Sequence, residues 1–353
     1  GREGIARLRL GMSVKPMATP TYTGGEGVNR LLELRKSGSG HSWLVTLIAI
    51  RGRSFPPWPH FVYCVYVAIV TWVNMEYFVD DDQNDLKDLK GYAENQDSSQ
   101  TLATVASLGI GSFALFLLLG FRTNASYDRW WEGRKKWGMI INRTRDMARQ
   151  TVGFIGPHDK AMATEMVQWV IAFAVSCKRH LRFEADDMSE LEGILSPEAL
   201  ARLTASAHKP NWCCQQMTRL LFQAKAKGIL TDIEVQMIDA NVTAFNDQIG
   251  ACERILKTPM PFAYVVHLRT FLLLWLTALP FGIVKNCKWG TIPVCAIAAY
   301  STMGFEDIGV EIENPFGHDF NDLPLDLITG STIRTNLQEQ LTWLENDAAP
   351  KIA

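Results

Sequence analysis

The run from Leu102 to Phe121 carries no charged side chain, and it passes without a proline into the basic, tryptophan-rich segment Arg122 to Gly138. About 20 residues at a rise of ~1.5 Å match the ~30 Å hydrocarbon core of a bilayer. The segment beyond it interleaves Arg122, Arg129, Arg134, Lys135 and Lys136 with Trp130, Trp131 and Trp137. A spanning helix that runs on into a polar helix fixes the chain's relation to the membrane. It also marks the helix on which function is to be sought.

The average composition conceals this. Net charge is −2 over 353 residues, which gives no strong attraction to nucleic acid. Charge is instead absent from several runs and dense between them, the mark of an integral membrane protein. Pro59–Phe78 reads as a first span with aromatic ends, Leu102–Phe121 as the second and Pro261–Val284 as the third. Thr291–Phe305 is a short fourth span, which needs packing support or helical continuation through Glu306 to cross. Met162–Cys177 is interrupted by Glu165 and Gln168 and reads as a buried helix outside the membrane. Amphipathic helices are expected over Leu191–Ala207, Asn211–Lys227 and Thr231–Leu256, the last with Ile233, Met237 and Ile238 on its apolar face.

Basic residues set the orientation. Arg122 to Arg149 holds eight basic residues against three acids, and the N-terminal arm carries Arg30, Arg35, Lys36, Arg51 and Arg53. Asp80–Asp97 is an acidic loop on the opposite side. The positive-inside rule places both basic flanks on the cytoplasmic or stromal side, and four spans bring both termini there. Asn124, Asn142 and Asn241 match the glycosylation pattern but fall on the inner side, so they are chance matches.

The organisation expected is an N-terminal arm with an interfacial helix over 1–50, the first two spans over 51–121 and an inner helical domain over 122–260. The last two spans follow over 261–305 and an inner-side segment over 306–353. The fold class is an all-α integral membrane protein with four transmembrane helices and a large inner-side helical domain.

Three features are candidates for function. Phe113, Leu117 and Phe121 recur at i, i+4 and i+8 on one face of the second span. That face either packs on a neighbouring helix or lipid, or lines a pore with an apolar constriction. Past the membrane, Trp130, Trp137, Ile140, Ile141, Thr144 and Met147 share a face suited to burial, and the nearby arginines could draw anions to an inner vestibule. Finally, Asn314, Asp319 and Asp322 bracket a turn at Pro315 and Gly317; it is either a solvated acidic turn or a set of oxygen ligands for a hard cation. No GxSxG, HExxH or phosphate loop is present, so no enzyme is expected. The seven cysteines form no CxxC pair, and Cys213 and Cys214 read as free thiols.

Three ordered segments carry a resemblance: Gly120-Phe-Arg-Thr-Asn-Ala-Ser-Tyr-Asp-Arg-Trp-Trp-Glu-Gly-Arg134, Glu253-Arg-Ile-Leu-Lys-Thr-Pro-Met-Pro-Phe-Ala-Tyr264 and Glu313-Asn-Pro-Phe-Gly-His-Asp-Phe-Asn-Asp-Leu-Pro-Leu325. Together they resemble the bestrophin family, in its bacterial and chloroplast branch, over roughly Arg51 to Leu344. The resemblance implies a homopentameric anion channel in a lipid bilayer, for chloride and other small inorganic anions such as bicarbonate or nitrate, with no nucleic-acid partner. It implies a pore neck at Phe113, Leu117 and Phe121 and an inner aperture near Ile255 to Thr258; the basic helix itself adds Arg122 and Arg129 as candidates to attract anions at an inner vestibule. Asp319 and Asp322, with Asn314, match part of a calcium clasp, but His318, Phe320 and Asn321 break its acidic run. No cofactor is required, the broken run argues against calcium control, and the turn is expected to act mainly as a subunit clasp. A thylakoid membrane is the favoured location and a bacterial inner membrane the other. The rival functions are a secondary anion transporter, which would show paired broken helices in an internal repeat, and a non-conducting membrane scaffold.

Overall fold

The computed structural model describes residues 57–77 and 90–346, with side chains described over 58–76 and 108–346. Among the described residues the chain is helical, with one isolated bridge between Glu192 and Leu195. The expected N-terminal arm, the interfacial helix and the first part of the acidic loop lie outside the described residues.

Helix α1 (Pro57–Tyr77) is followed by α2 (Lys90–Gln150), a single helix of 61 residues. At ~1.5 Å per residue α2 is about 90 Å long. The expected continuity across Phe121 and Arg122 therefore holds. The acidic segment is partly corrected, because Glu94 and Asp97 already belong to α2. A π-helical turn at Thr151–Ile155 ends α2, and Gly156 follows it because a Cβ there would lie 2.4 Å from the Val152 carbonyl oxygen.

Next come α3 (Lys160–Leu181), α4 (Pro197–Ala205), α5 (Lys209–Ala226) and α6 (Asp232–Lys257). Each starts at a side-chain cap. Asp159, Ser196, His208 and Thr231 accept from the backbone N–H three residues on, and Thr231 with Glu234 forms a reciprocal capping box. The helix expected from Leu191 begins only at Pro197. Gly193 in a left-handed turn (φ 76°) and the Ser196 cap delay it. On α6 the expected apolar face is half right, since Ile238 is buried while Ile233 and Met237 are exposed. The buried face runs instead through Val235, Ile238, Val242, Phe245 and Ile249.

Helices α7 (Phe262–Cys287) and α8 (Thr291–Glu311) form a hairpin. The fourth apolar run does continue helically past Glu306, reaching 21 residues. A second π-helical turn at Leu327–Ile333 leads to α9 (Arg334–Asn346). Leu108–Ile155 and Phe262–Glu311 contain windows long and apolar enough to cross a membrane, with mean hydropathy of 1.4 and 1.6.

Two apolar clusters result. One joins Tyr63 and Val67 of α1, Leu115 and Leu119 of α2, Leu268, Leu272, Trp275, Leu276 and Leu279 of α7, and Cys295 and Ala299 of α8. Pro280 lies inside α7 and lacks the N–H that would bond the Leu276 carbonyl. Tyr63 Oη donates to that carbonyl at 3.0 Å and Tyr66 Oη to the Thr277 carbonyl at 2.9 Å, so α1 satisfies the acceptors released around the proline.

The larger cluster packs Trp137, Ile140 and Met147 of α2 against α3, α5 and α6. It confirms the apolar face expected beyond Arg122. It also confirms Met162–Cys177 as a buried helix, with Phe173 and Phe245 rings 4.5 Å apart at its centre. Cys213 and Cys214 are buried free thiols. Asn241 is buried and bonded to Arg143 and Gln150, so a glycan has no access there.

Candidate pore helix and its inner supports

Along the first half of α2 the two faces differ sharply. Leu115 and Leu119 are fully buried, whereas Phe113, Leu117 and Phe121 are exposed, Phe113 at 73%. Ile110 extends the exposed stripe one turn outward, also at 73%. It was not singled out in the sequence, although Ile110 to Phe113 to Leu117 is a continuous 3–4 spacing. Beyond Phe121 the exposed stripe turns polar through Asn124 and Asp128 and continues to Lys135. One helix edge thus changes from apolar to polar at the Phe121–Arg122 junction. The small residues of this span serve close packing: a Cβ at Gly111 would sit 3.5 Å from the Trp275 ring.

Arg122 corrects an expectation. It is 1% exposed, and lies with its Nε 2.7 Å from Glu306 Oε2 of α8 and its guanidinium 3.5 Å from Glu313. Glu306 also accepts from Arg269 Nε of α7 at 2.7 Å. One carboxylate therefore locks α2, α7 and α8 together at the inner end of the apolar cluster. Its position directly after the last apolar run carried no signal until the fold brought the two arginines to it.

Arg129 is half-buried and engaged in the same way. Its guanidinium donates to the carbonyls of Ile255 and Thr258 at 2.5 Å each and to that of Glu313 at 3.1 Å. The Ile255 and Thr258 carbonyls lie at the C-terminal end of α6, so Arg129 caps that helix from the side. Burial lowers its pKa, with Glu313 and Glu132 opposing. A vestibule role for Arg129 is therefore replaced by a holding role. Of the two aperture residues, Ile255 is 3% exposed and packs into the large cluster, so its side chain lines no opening. Thr258 is exposed at the chain's turn into α7.

The turn after α8 packs on α2. A Cβ at Gly133 would meet Pro315 Cγ at 2.9 Å, and Trp130 Nε1 donates to the Asn321 carbonyl at 3.0 Å. Asp322 is fully buried; its Oδ2 accepts from the Asp319 N–H at 2.7 Å, and Oδ1 has no protein partner. Burial pushes its carboxyl up to about 7, with the Asp319 and Glu311 charges adding and Arg182 opposing. Asn314 and Asp319 are exposed, and Glu311 accepts from Asn321 Nδ2 at 2.8 Å. Calcium takes six to eight oxygens, roughly, and here a single buried oxygen is unsatisfied. The acidic side chains of this turn do not gather into a three-ligand group among the described residues. The set Asn314, Asp319 and Asp322 thus does not fit a calcium centre, and the turn is a packed joint between α2 and α8.

The profile of the bacterial/fungal bestrophin proteins matches residues 36–339. The chain belongs to this bestrophin family. A voltage-dependent anion channel-forming protein of Nostoc sp. is 41% identical over 233 residues, covering 65% of this chain and 75% of the relative. The chloroplastic voltage-dependent chloride channel 2 of Arabidopsis thaliana is 32% identical, over 58% of this chain and 49% of that one. Among solved structures, a bacterial bestrophin homologue from Klebsiella pneumoniae superposes with a TM-score of 0.70 at 26% identity, covering 81% of this chain and 98% of that chain. The bestrophin resemblance read from the three motifs is therefore correct.

Proposed function

We propose that the protein is a passive anion channel, built from copies of the chain arranged so that α2 lines a common axis in a bilayer. The carrying observation is the exposed apolar edge of α2, Phe113, Leu117 and Phe121, set directly opposite the buried Leu115 and Leu119. A helix buried on one side and bare on the other needs an occupant for the bare side. In a family whose relatives are named for forming anion channels, a ring of the same edge from neighbouring subunits supplies it. We take the assembly as a homopentamer with four spans per subunit: α1, the first half of α2, α7 and α8. The outward-facing Trp58, Phe61, Val65, Ile69 and Trp72 of α1 then meet lipid.

The neck excludes ions by dewetting and passes anions that shed water readily, since aromatic ring edges carry partial positive charge. Chloride, nitrate and bicarbonate are the expected permeants. Thr258 is the side chain available for an inner aperture. A relative named as chloroplastic supports a chloroplast membrane, which we take as the thylakoid, and bacterial relatives support a bacterial inner membrane as the other location. Passive conduction of this kind requires no chemical step.

The deciding experiment is current through planar bilayers holding the purified protein. The reversal potential should follow an imposed chloride gradient and shift when nitrate or bicarbonate replaces chloride. A potential that follows the cation gradient, or silent bilayers, overturns the reading.

A further inference from the structure

His180 on the last turn of α3, His208 at the start of α5 and Glu253 near the end of α6 converge on one point. Among the described residues they are the one group of three or more His, Cys, Asp or Glu side chains whose ligand atoms lie together, all within 4.8 Å of one another. His180 Nε2 is 2.6 Å and His208 Nε2 3.1 Å from the same oxygen, Glu253 Oε1. The imidazole rings are 4.8 Å apart. All three side chains are reachable from solvent without being loose, at 21%, 40% and 19% exposure. Tetrahedral ligands about 2.0–2.1 Å from a zinc ion stand roughly 3.3 Å from each other. The three ligand atoms, all within 4.8 Å of one another, stand close to that spacing.

We infer that His180, His208 and Glu253 form a binding site for a borderline transition-metal dication such as zinc, with the fourth position left to water. Two imidazole nitrogens and one carboxylate oxygen are the donor set that such ions prefer, and one that calcium and magnesium do not. Burial raises the Glu253 pKa, but hydrogen bonds from His180, His208 and Lys257 outweigh it and keep the group a carboxylate at neutral pH.

The proton inventory makes the proposal specific. His208 Nδ1 accepts the Asn211 backbone N–H at 3.2 Å as the cap of α5, so in the metal-free protein its proton is on Nε2, facing Glu253. A metal on Nε2 moves that proton to Nδ1, and Nδ1 can then no longer accept from Asn211. His180 Nε2 likewise donates to the Glu253 carboxylate at 2.6 Å, so its proton also shifts to Nδ1 when the metal takes Nε2, and both rings bind as neutral imidazoles. Lys257, 3.3 Å from Glu253 Oε1, swings out as the dication arrives. Metal binding therefore ties α3, α5 and α6 together while opening the first turn of α5. It stiffens the helix whose final carbonyls Arg129 holds, two residues before Ile255. Any effect on current rests on the channel reading; the site itself does not.

The test uses the full chain purified in detergent, stripped with chelator and titrated with zinc chloride by calorimetry at neutral pH. Wild type should bind one zinc per chain, with calcium and magnesium failing to compete. Glu253→Gln and His180→Ala should weaken binding at least tenfold. His208→Asn keeps a good helix cap while removing the ligand, so it separates metal loss from misfolding. In wild type, hydrogen exchange at the Asn211 amide should rise when zinc binds. Zinc binding that all three variants leave unchanged, or no binding by the wild type, overturns the site. So does an Asn211 amide that stays protected in the zinc-bound protein. Because heat and exchange are read, a silent bilayer would leave this result standing.

Discussion

Arg122 and Glu306 form a buried ion pair, with Nε 2.7 Å from Oε2 and side chains 1% and 7% exposed. The contact is ionic rather than a well-aligned hydrogen bond. Removing either member leaves the other with one remaining partner, Arg269 for Glu306 or Glu313 for Arg122, at a cost of up to about 3 kcal/mol, whereas replacing both by apolar groups of similar size is often neutral. Glu306→Gln and Arg122→Met should each lower the unfolding temperature in detergent markedly. The double variant Arg122→Met with Glu306→Leu should recover most of that loss. Additive losses in the double variant would show that the pair is not coupled.

Leu117 and Leu115 lie two residues apart on α2 but on opposite sides, one exposed and one buried. Leu117→Ser should wet the neck and raise the open fraction in bilayer recordings with the fold intact. Leu115→Ala removes buried contacts and should cost about 2–4 kcal/mol, with little change in ion preference where protein survives. An unchanged current from Leu117→Ser removes Leu117 from the neck.

Arg129 grips the end of α6 through a planar fork that reaches two carbonyls at once. Lysine keeps the charge and loses the fork. Arg129→Lys should speed hydrogen exchange across residues 256–260, and Arg129→Ala more so, at a cost of about 1–3 kcal/mol. Exchange rates equal to wild type would show that the carbonyls are held by other groups.

Asp326 accepts from Lys178 at 2.8 Å and from Arg182 at 2.8 Å, joining the end of α3 to the turn before α9. Burial raises its pKa, but the hydrogen bonds and charges of Lys178 and Arg182 prevail and hold the carboxyl below its ordinary value. A depressed folded pKa means that its stabilisation is complete above the unfolded value near 4 and is lost as pH falls through the folded one. Asp326→Asn should lower the unfolding temperature by a similar amount at pH 6 and pH 8. Below about pH 4 the wild type should fall toward the variant. A gap that instead widens on acidification contradicts this assignment.

Much of this architecture is legible from residue patterns. The apolar run ending at Phe121, the helical face from Trp130 to Met147 and the buried Met162–Cys177 segment each follow from spacing, since a helix must bury its apolar stripe. Less legible were residues whose role depends on what stands opposite them. Arg122 and Arg129 look like vestibule charges in a basic run, yet one neutralises Glu306 and the other caps α6. Ile255 lies in the segment expected to form an aperture, but its place on the α6 face turns it into the core.

By itself the sequence determined that apolar helices alternate with a polar helical region, that the span ending at Phe121 continues as a helix, and which family the chain belongs to. These are local properties, set by hydrophobicity, helical period and the lack of a proline across the junction. Only the tertiary structure decided which charges are spent on one another and which side of α2 is left bare. It also brought His180, His208 and Glu253 from three helices to one point. Burial and pairing are relations between distant segments: 184 residues separate Arg122 from Glu306, and nothing in either segment names the other until packing brings them together.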